Sequence, residues 1–334
     1  MFTRARTWWV ALALIVMLGV VGLLIVTLGR APAPTPLPNP NGYDDFLKAA
    51  AVTAGNIGDY RTLDQETLRN LVSTNTESLR LLRLGLTRQC SVPTEAAITN
   101  IAGMITDLAG MKRLAQLLAA EGRLRELDNQ PAEAVHSYLD AIHFGNETSR
   151  GGFIINRLVG VAVEAIGCVP LAKLAPGLKP EEARRVIGEL EKCDNTRITW
   201  DEVLRDEKRF FYHEIRKYSN PVFWVQSLWT LRPTRQRAAG KHNRIVAQER
   251  LLAAELALRC YLADKARVPA RLEDLVPDYL SKVPQDPFTG QAMIYRPQGT
   301  NWLVYSVGED GVDNGGRPVA RGLMTPGDLL YNLP

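Results

Sequence analysis

Four ionisable residues stand at helical spacing on one short stretch: Glu133, His136, Asp140 and His143, three, four and three residues apart. Side chains so spaced share a helix face. Glu-x-x-His is also the spacing that helical di-metal carboxylate bundles use, but those need two such motifs and two more carboxylates. No second Glu-x-x-His occurs, and the stripe lies opposite the apolar positions Ala134, Val135, Tyr138, Leu139 and Ile142. It therefore reads as a solvated face. The remaining histidines, His213 and His242, stand among charged residues without zinc-ligand spacing. The four cysteines, Cys90, Cys168, Cys193 and Cys260, are widely separated and form no C-x-x-C pair. They read either as small buried apolar side chains or, in an oxidising compartment, as up to two disulfides whose pairing spacing does not decide. No G-x-S-x-G, H-E-x-x-H, phosphate loop or Rossmann glycine pattern is present. No catalytic residue and no cofactor-binding residue is assigned. The chain reads as non-enzymatic, with a hydrolase site assembled from distant residues of the helical region as the alternative.

One stretch combines cations with aromatic rings. Between Arg205 and Arg244 lie Lys208, Arg209, Arg216, Lys217, Arg232, Arg235, Arg237 and Lys241, interleaved with Phe210, Phe211, Tyr212, Tyr218, Phe223, Trp224 and Trp229. Such a stretch can meet anionic lipid or glycan, which makes a surface-binding module a further alternative. It can equally fill a bundle core with its rings while the cations reach solvent. A net charge of +4 over 334 residues gives no case for nucleic acid.

The elements that position these residues begin with an apolar run. Trp8 to Leu28 carries no charge, and at about 1.5 Å per residue it crosses a hydrocarbon core of roughly 30 Å. Arg4 and Arg6 precede it and Arg30 follows. The positive-inside rule then keeps residues 1–7 cytoplasmic and places the body on the outer side of the membrane. The run exceeds the apolar stretch of a cleavable signal, so it reads as an uncleaved anchor, despite small residues at Ala31 and Ala33. Its partner is the lipid bilayer; no motif specifies a protein partner. Residues 29–42 are proline-rich and read as an extended spacer.

Residues 43–241 show helical periodicity. Leu68, Leu71, Val72, Leu79, Leu82 and Leu86 predict one amphipathic helix ending near Cys90. Pro93 opens the next element, and Pro131 begins another for which Asn129 is the expected cap. Further helices are expected from Ile154 to Leu174, Pro180 to Cys193 and Trp200 to Tyr218. Leu114 to Gly145 resembles one tetratricopeptide-type helix pair, but no second copy follows, so a hairpin within a bundle is expected. From His242 a strong helix leads into proline-punctuated turns. Ala292 to Tyr295 and Trp302 to Ser306 then read as a hairpin separated by Pro297 to Thr300.

The tail, residues 242–334, resembles the globular domain of the major pseudopilin of type II secretion systems. The resemblance rests on LRCYLADKARVPARLEDL, PQDPFTGQAMIYR, LVYSVGEDGVDNGG and the closing GDL. It implies a long helix on a small antiparallel sheet, with a terminal loop that binds calcium. Asp310, Asp313 and Asp328 are the expected calcium ligands, Asp310 lying in the shared Asp-Gly element. The chain departs from a pseudopilin in having no prepilin-peptidase site before its apolar run, and about two hundred residues separate that run from the tail. It looks instead like the single-anchor bacterial envelope proteins that reuse such a tail. The expected architecture is mainly α: a transmembrane helix, an α-helical body and a small α+β pilin-like domain. A boundary near residue 242 predicts that the body folds without the tail. The expected role is interaction or scaffolding in the envelope, linked to secretion or surface assembly.

Overall fold

A computed structural model describes residues 16–17, 36–58, 60–215, 221–318 and 327–331, without the side chains of residues 211–215 and 221–231. Of the expected anchor only Val16 and Met17 are included, and both are helical and exposed; the rest lies outside the described residues. The described chain is mostly helical, with a two-stranded antiparallel sheet near its C-terminal end. Ten α-helices are described: α1 (Gly42–Val52), α2 (Gln65–Thr74), α3 (Thr76–Leu86), α4 (Thr94–Thr99), α5 (Ile101–Leu127), α6 (Pro131–Glu147), α7 (Ile154–Leu174), α8 (Pro180–Asn195), α9 (Trp200–Ile215) and α10 (Pro221–Lys265). Strands β1 (Ile294–Gln298) and β2 (Asn301–Tyr305) follow.

The leucine run expected as one helix is two. Asn75 breaks it between α2 and α3, and its side chain accepts from Ala54 N at 2.7 Å and donates to the Leu71 carbonyl at 2.9 Å. An asparagine amide competes well with the helical ladder wherever a second segment supplies partners. Asn129 does not cap α6. It adopts φ 57°, in the left-handed region that ends α5, and Gln130 is the flanking residue of α6. Asparagine tolerates that conformation at a helix C-terminus better than most residues.

Two smaller hydrophobic clusters seat α4 and α9, and two larger ones hold most of the helices. One joins α1, α3, α5, α6 and α7 around Phe46, Leu82, Met111 and Phe144, with the Phe46 and Phe144 rings edge-on at 4.8 Å. The other joins α6, α7, α8 and α10 to the tail, through Leu139, Val186, Leu251, Leu258, Tyr279, Met293 and Val304. Helices α6 and α7 approach most closely at glycines. A Cβ on Gly160 would stand 2.4 Å from the Gly145 carbonyl oxygen, and one on Gly167 2.4 Å from that of Tyr138.

Helix α7, with the turn after it (Ile154–Gly177), is the one described segment long and apolar enough to cross a membrane. It is nevertheless an interior helix here, carrying Arg157 and Glu164, both fully buried.

In the tail, β1 and β2 pair in register from Ile294–Tyr305 to Gln298–Asn301. The turn is Gly299–Thr300, with Gly299 at φ 64°. Pro297 lies inside β1, where a two-stranded sheet leaves an edge that does not need its missing N–H. The DPFTG motif acts as a clasp. Asp286 is buried and accepts from Phe288 N at 3.0 Å and from Val307 N at 2.9 Å, tying the turn to the end of β2. The hairpin sits on the second half of α10, where Trp302 Nε1 donates to Glu255 at 2.8 Å. The boundary expected near 242 falls inside α10, which runs unbroken from Pro221 to Lys265.

Candidate functional site

A cleft of about 810 Å³ opens between the ends of several elements. Its walls are Pro36–Pro38, the turn after α3, the C-terminal ends of α6 and α8, and the start of α9. Three hydrogen bonds staple the entering chain to the wall. Gly42 N donates to the Gln89 carbonyl (2.9 Å), Asn41 Nδ2 to the Ser91 carbonyl (2.8 Å), and Ser91 N to Asn41 Oδ1 (3.0 Å). Asn41 also caps α1, its side chain accepting from Tyr43 N. One residue thus starts the first helix and closes one side of the cleft.

Most charges in the cleft are paired with one another or with neighbours. Glu147 accepts from Arg150 Nη2 at 2.6 Å and Nε at 3.0 Å, and Arg150 also donates to the Thr196 carbonyl at 2.8 Å. Arg88 Nη1 reaches Asp45 at 2.5 Å, and Lys192 lies 3.8 Å from Glu189. Glu202 accepts from Thr199 N at 2.7 Å. His143 Nε2 stands 4.0 Å from Glu147, too far for a hydrogen bond. Burial holds its pKa below the ordinary value, so the ring is neutral at pH 7. Cys90 and Cys193 lie on the floor, each pushed up to about 12 by burial, and remain thiols rather than nucleophilic thiolates. All four cysteines are buried and unpaired.

Asp206 is the exception. Its side chain is 2% exposed, its Oδ2 has no hydrogen-bond partner among the described residues, and Arg205 and Arg209 lie 3.9 and 3.8 Å from Oδ1. Burial raises its pKa, opposed by those two cations.

The stripe on α6 is only partly solvated. Glu133 and His136 are exposed, but Asp140 and His143 are half-buried and the row ends in buried Glu147. Asp140 accepts from Arg83 Nε at 2.8 Å and lies 3.3 Å from His136 Nδ1. Burial works against the carboxylate, yet His136 and Arg83 hold its pKa below the ordinary range. Arg83 also holds Glu121, so the cluster joins α3, α5 and α6. Arg83 thus ties together carboxylates on two other helices.

A second charged array, which spacing did not reveal, lies wholly inside. Arg157 Nη1 and Nη2 grip Glu164 at 2.6 and 3.1 Å, and Arg157 Nε donates to His242 Nδ1 at 2.8 Å. Arg197 Nη1 reaches the same Glu164 at 2.8 Å, and its Nη2 bonds Glu249. Two arginines and two glutamates make the array neutral when all four are ionised. Burial would raise Glu164, but Arg157 and Arg197 hold it below the ordinary range. His242 is depressed to about 3, first by burial and then by Arg157. Glu249 is raised to about 8 by burial, with Arg197 opposing. The signal in the sequence was an arginine and a glutamate seven residues apart in INRLVGVAVEAIG, a stretch apolar but for them and Asn156.

In the basic-aromatic stretch, Arg209 is buried and bonded to Glu95 at 2.6 Å, and Phe210 packs on Phe153 with centroids 4.9 Å apart. Arg237, Lys241 and Arg244 are exposed along one side of α10. The side chains of His213, Phe211, Tyr212, Phe223, Trp224 and Trp229 lie outside the described residues, as do Arg216, Lys217 and Tyr218.

The three tail aspartates reach one loop. Asp313 takes Tyr305 Oη at 2.7 Å, Gly315 N at 2.8 Å and Arg296 Nη2 at 2.6 Å. Buried Asp328 accepts from Gly316 N at 2.6 Å and Asn314 N at 3.3 Å, and Asp310 accepts from Val312 N at 3.1 Å. Each of the three therefore accepts at least one backbone N–H of this loop. A calcium ion would have to displace Arg296 to gain Asp313.

Compared with protein-family models, curated proteins and solved structures, the chain shows no match.

Proposed function

We propose that this chain is a membrane-tethered envelope protein, N-terminus cytoplasmic, whose helical body recognises another molecule in the cleft without transforming it. The observation that carries this reading is the state of the cleft's charges. Most of them are tied off in pairs, Asp206 excepted, and its histidine and thiols lack the contacts that general-base or nucleophilic chemistry requires. Recognition needs shape and placed polar groups, and a cleft of this size fits that use. The spacer supports a tethered geometry. An extended spacer of the kind expected from the proline-rich residues 29–42 would lift the body away from the bilayer. The long helix beneath an antiparallel hairpin supports the pilin-like reading of the tail, and with it a place in secretion or surface assembly.

The test is site-specific photo-crosslinking in intact native membranes. A photoreactive residue at Gln89 or Lys192, both exposed on the cleft rim, is expected to give one discrete adduct. The same residue at Gln298 on the hairpin turn is expected to give none. Identical patterns at all three positions would refute the cleft as the recognition surface.

A hydrolase is the second reading, favoured by His143 beside Glu147 and by the buried Asp206 in one polar cleft. It predicts that His143→Asn abolishes turnover of a cleft-bound substrate. The recognition reading predicts that His143→Asn leaves the Gln89 adduct intact.

A further inference from the structure

The basic-aromatic stretch is not one surface. Its first part, on α9, turns inward: Arg209 is buried and bonded to Glu95, and Phe210 packs on Phe153. Its second part, on α10, leaves the body. Ala238 is buried, but before it Arg232, Pro233, Thr234, Gln236 and Arg237 are all exposed and Arg235 is half-buried. Over these residues the helix is open to solvent around most of its circumference. Pro233 also withholds the helical donor from the Trp229 carbonyl, at a point where helices bend. Earlier in the same helix, residues 221–231 read PVFWVQSLWTL, without a charge. At about 3.6 residues per turn, Val222, Trp224, Val225, Leu228, Trp229 and Leu231 fall on one half of it, and Gln226, Ser227 and Thr230 on the other. Val225 and Trp229 stand two turns before the exposed Arg232 and Gln236, so the apolar half continues a face that the body leaves uncovered.

An apolar face at the end of a projecting helix needs an occupant, and the charges beside it select one. From Pro221 to Gln248 the helix carries Arg232, Arg235, Arg237, Lys241 and Arg244 and no carboxylate. Glu207 of α9 acts on Arg235, while the other four cations are exposed. Aromatic and aliphatic positions followed by cations match the boundary between headgroups and acyl chains, where rings and methyls enter the apolar layer and cations meet phosphates. An anionic glycan offers the charge without the apolar layer. A second copy would bring an equally cationic helix beside this one. We propose that residues 222–231 of α10 lie in the surface of an anionic bilayer, with Arg232, Arg237, Lys241 and Arg244 at its headgroups. This rests on the reading of the chain as membrane-tethered: residues 8–28 hold the body at the bilayer, and α10 supplies a second contact that fixes its orientation.

The experiment places a fluorophore on one introduced cysteine of the full-length protein in nanodiscs and reads its quenching by brominated acyl chains. The four native cysteines are buried, so labelling of the folded protein is confined to the introduced site. The sites are Val225→Cys on the apolar half, Ser227→Cys opposite it, Gln298→Cys on the hairpin turn and Val16→Cys in the anchor. An interfacial helix seats its apolar face about 5–10 Å into the acyl boundary, so in discs of equal phosphatidylcholine and phosphatidylglycerol emission at Val225 should fall about twofold. Quenching should be weaker at Ser227 and absent at Gln298. Discs of phosphatidylcholine alone, or Arg232→Gln combined with Arg237→Gln, should remove about half of the quenching at Val225 and leave Val16 unchanged. Quenching at Val225 no stronger than at Gln298, or indifferent to lipid charge, would overturn the inference. Pyrene at Val225 giving excimer emission in discs that hold two copies, without lipid quenching, would overturn it in favour of a second copy on this face. If Val16 is quenched and Val225 is not, the tether stands and this inference falls; the reverse result removes the tether and leaves the α10 contact.

Discussion

The buried array predicts an unusual dependence of stability on pH, and His242→Gln is the substitution that exposes it. In the folded chain His242 accepts from Arg157 at 2.8 Å and titrates at about 3. An unfolded histidine titrates near 6.5. A depressed pKa contributes stability that is lost as pH falls from about 6.5 toward 3. Glu249 moves the other way, from about 4.5 unfolded to about 8 folded, so its contribution is lost as pH rises through that window. Between pH 4.5 and 6.5 the unfolded chain holds a proton on His242 and the folded chain holds one on Glu249. Proton uptake on unfolding cancels, and these two groups give a plateau. Outside it each limb has a slope of about 1.4 kcal/mol per pH unit. Each limb therefore removes about 2 kcal/mol between pH 6.5 and 8, or between pH 4.5 and 3.

The glutamine amide oxygen can accept the Arg157 hydrogen bond but takes up no proton. In His242→Gln the acid limb from this site disappears, and Glu249 alone tilts the profile downward across the former plateau. Glu249→Gln should do the converse, rising to pH 6.5 and staying flat above it. The measurement is urea unfolding of the full-length protein in detergent, followed by circular dichroism from pH 4 to 8.5. Differences between variant and wild type isolate these sites from other carboxylates. Difference profiles that are flat for both variants would show that the array does not titrate as described, whatever the absolute stabilities.

Other consequences are independent of pH. Gly160→Ala would place a methyl 2.4 Å from the Gly145 carbonyl, so overpacking should cost about 1–3 kcal/mol in thermal unfolding. Gly188→Ala, with no atom within 4 Å of the added carbon, should instead stabilise by about 0.5–1 kcal/mol; equal effects would refute the close-crossing argument. Ending the chain before His242 leaves Arg157 without one acceptor and removes Glu249, the second carboxyl partner of Arg197. Breaking such buried pairs costs about 3–5 kcal/mol, so the fragment should lack a cooperative melt, and a sharp melt would show a self-sufficient body. If the tail loop takes calcium at about 10⁻⁴–10⁻³ M, millimolar calcium adds about 0.4–1.4 kcal/mol over magnesium. Arg296→Gln should enlarge that increment by freeing Asp313, and identical melting in calcium, magnesium and chelator would remove the site. A reporter active only outside the cytoplasm, fused after Pro334, should be active; an inactive fusion would reverse the topology.

Local pattern alone determined the helical class, the bounds of α7 and the antiparallel hairpin, whereas for the cysteines only the fold decides between buried thiols and disulfides. Each of the first three follows from periodicity or residue type over a few neighbours, such as the apolar run at Ile154–Leu174 or the Gly299 turn between two short strands. Three features depended on partners far along the chain. Asn75 ends α2 because Ala54 and Leu71 supply its hydrogen bonds. The row Glu133, His136, Asp140, His143 reads as a solvated face, but Arg83 on α3 draws Asp140 inward and the cleft takes in His143. The division at residue 242 followed a change in composition, whereas α10 crosses it because His242 and Glu249 complete an ion array begun at Arg157. The cleft itself joins Pro36–Pro38, the end of α3, α6, α8 and α9. Asp206 carries no signal in the chain, because a carboxylate's lack of partners is a property of everything packed around it.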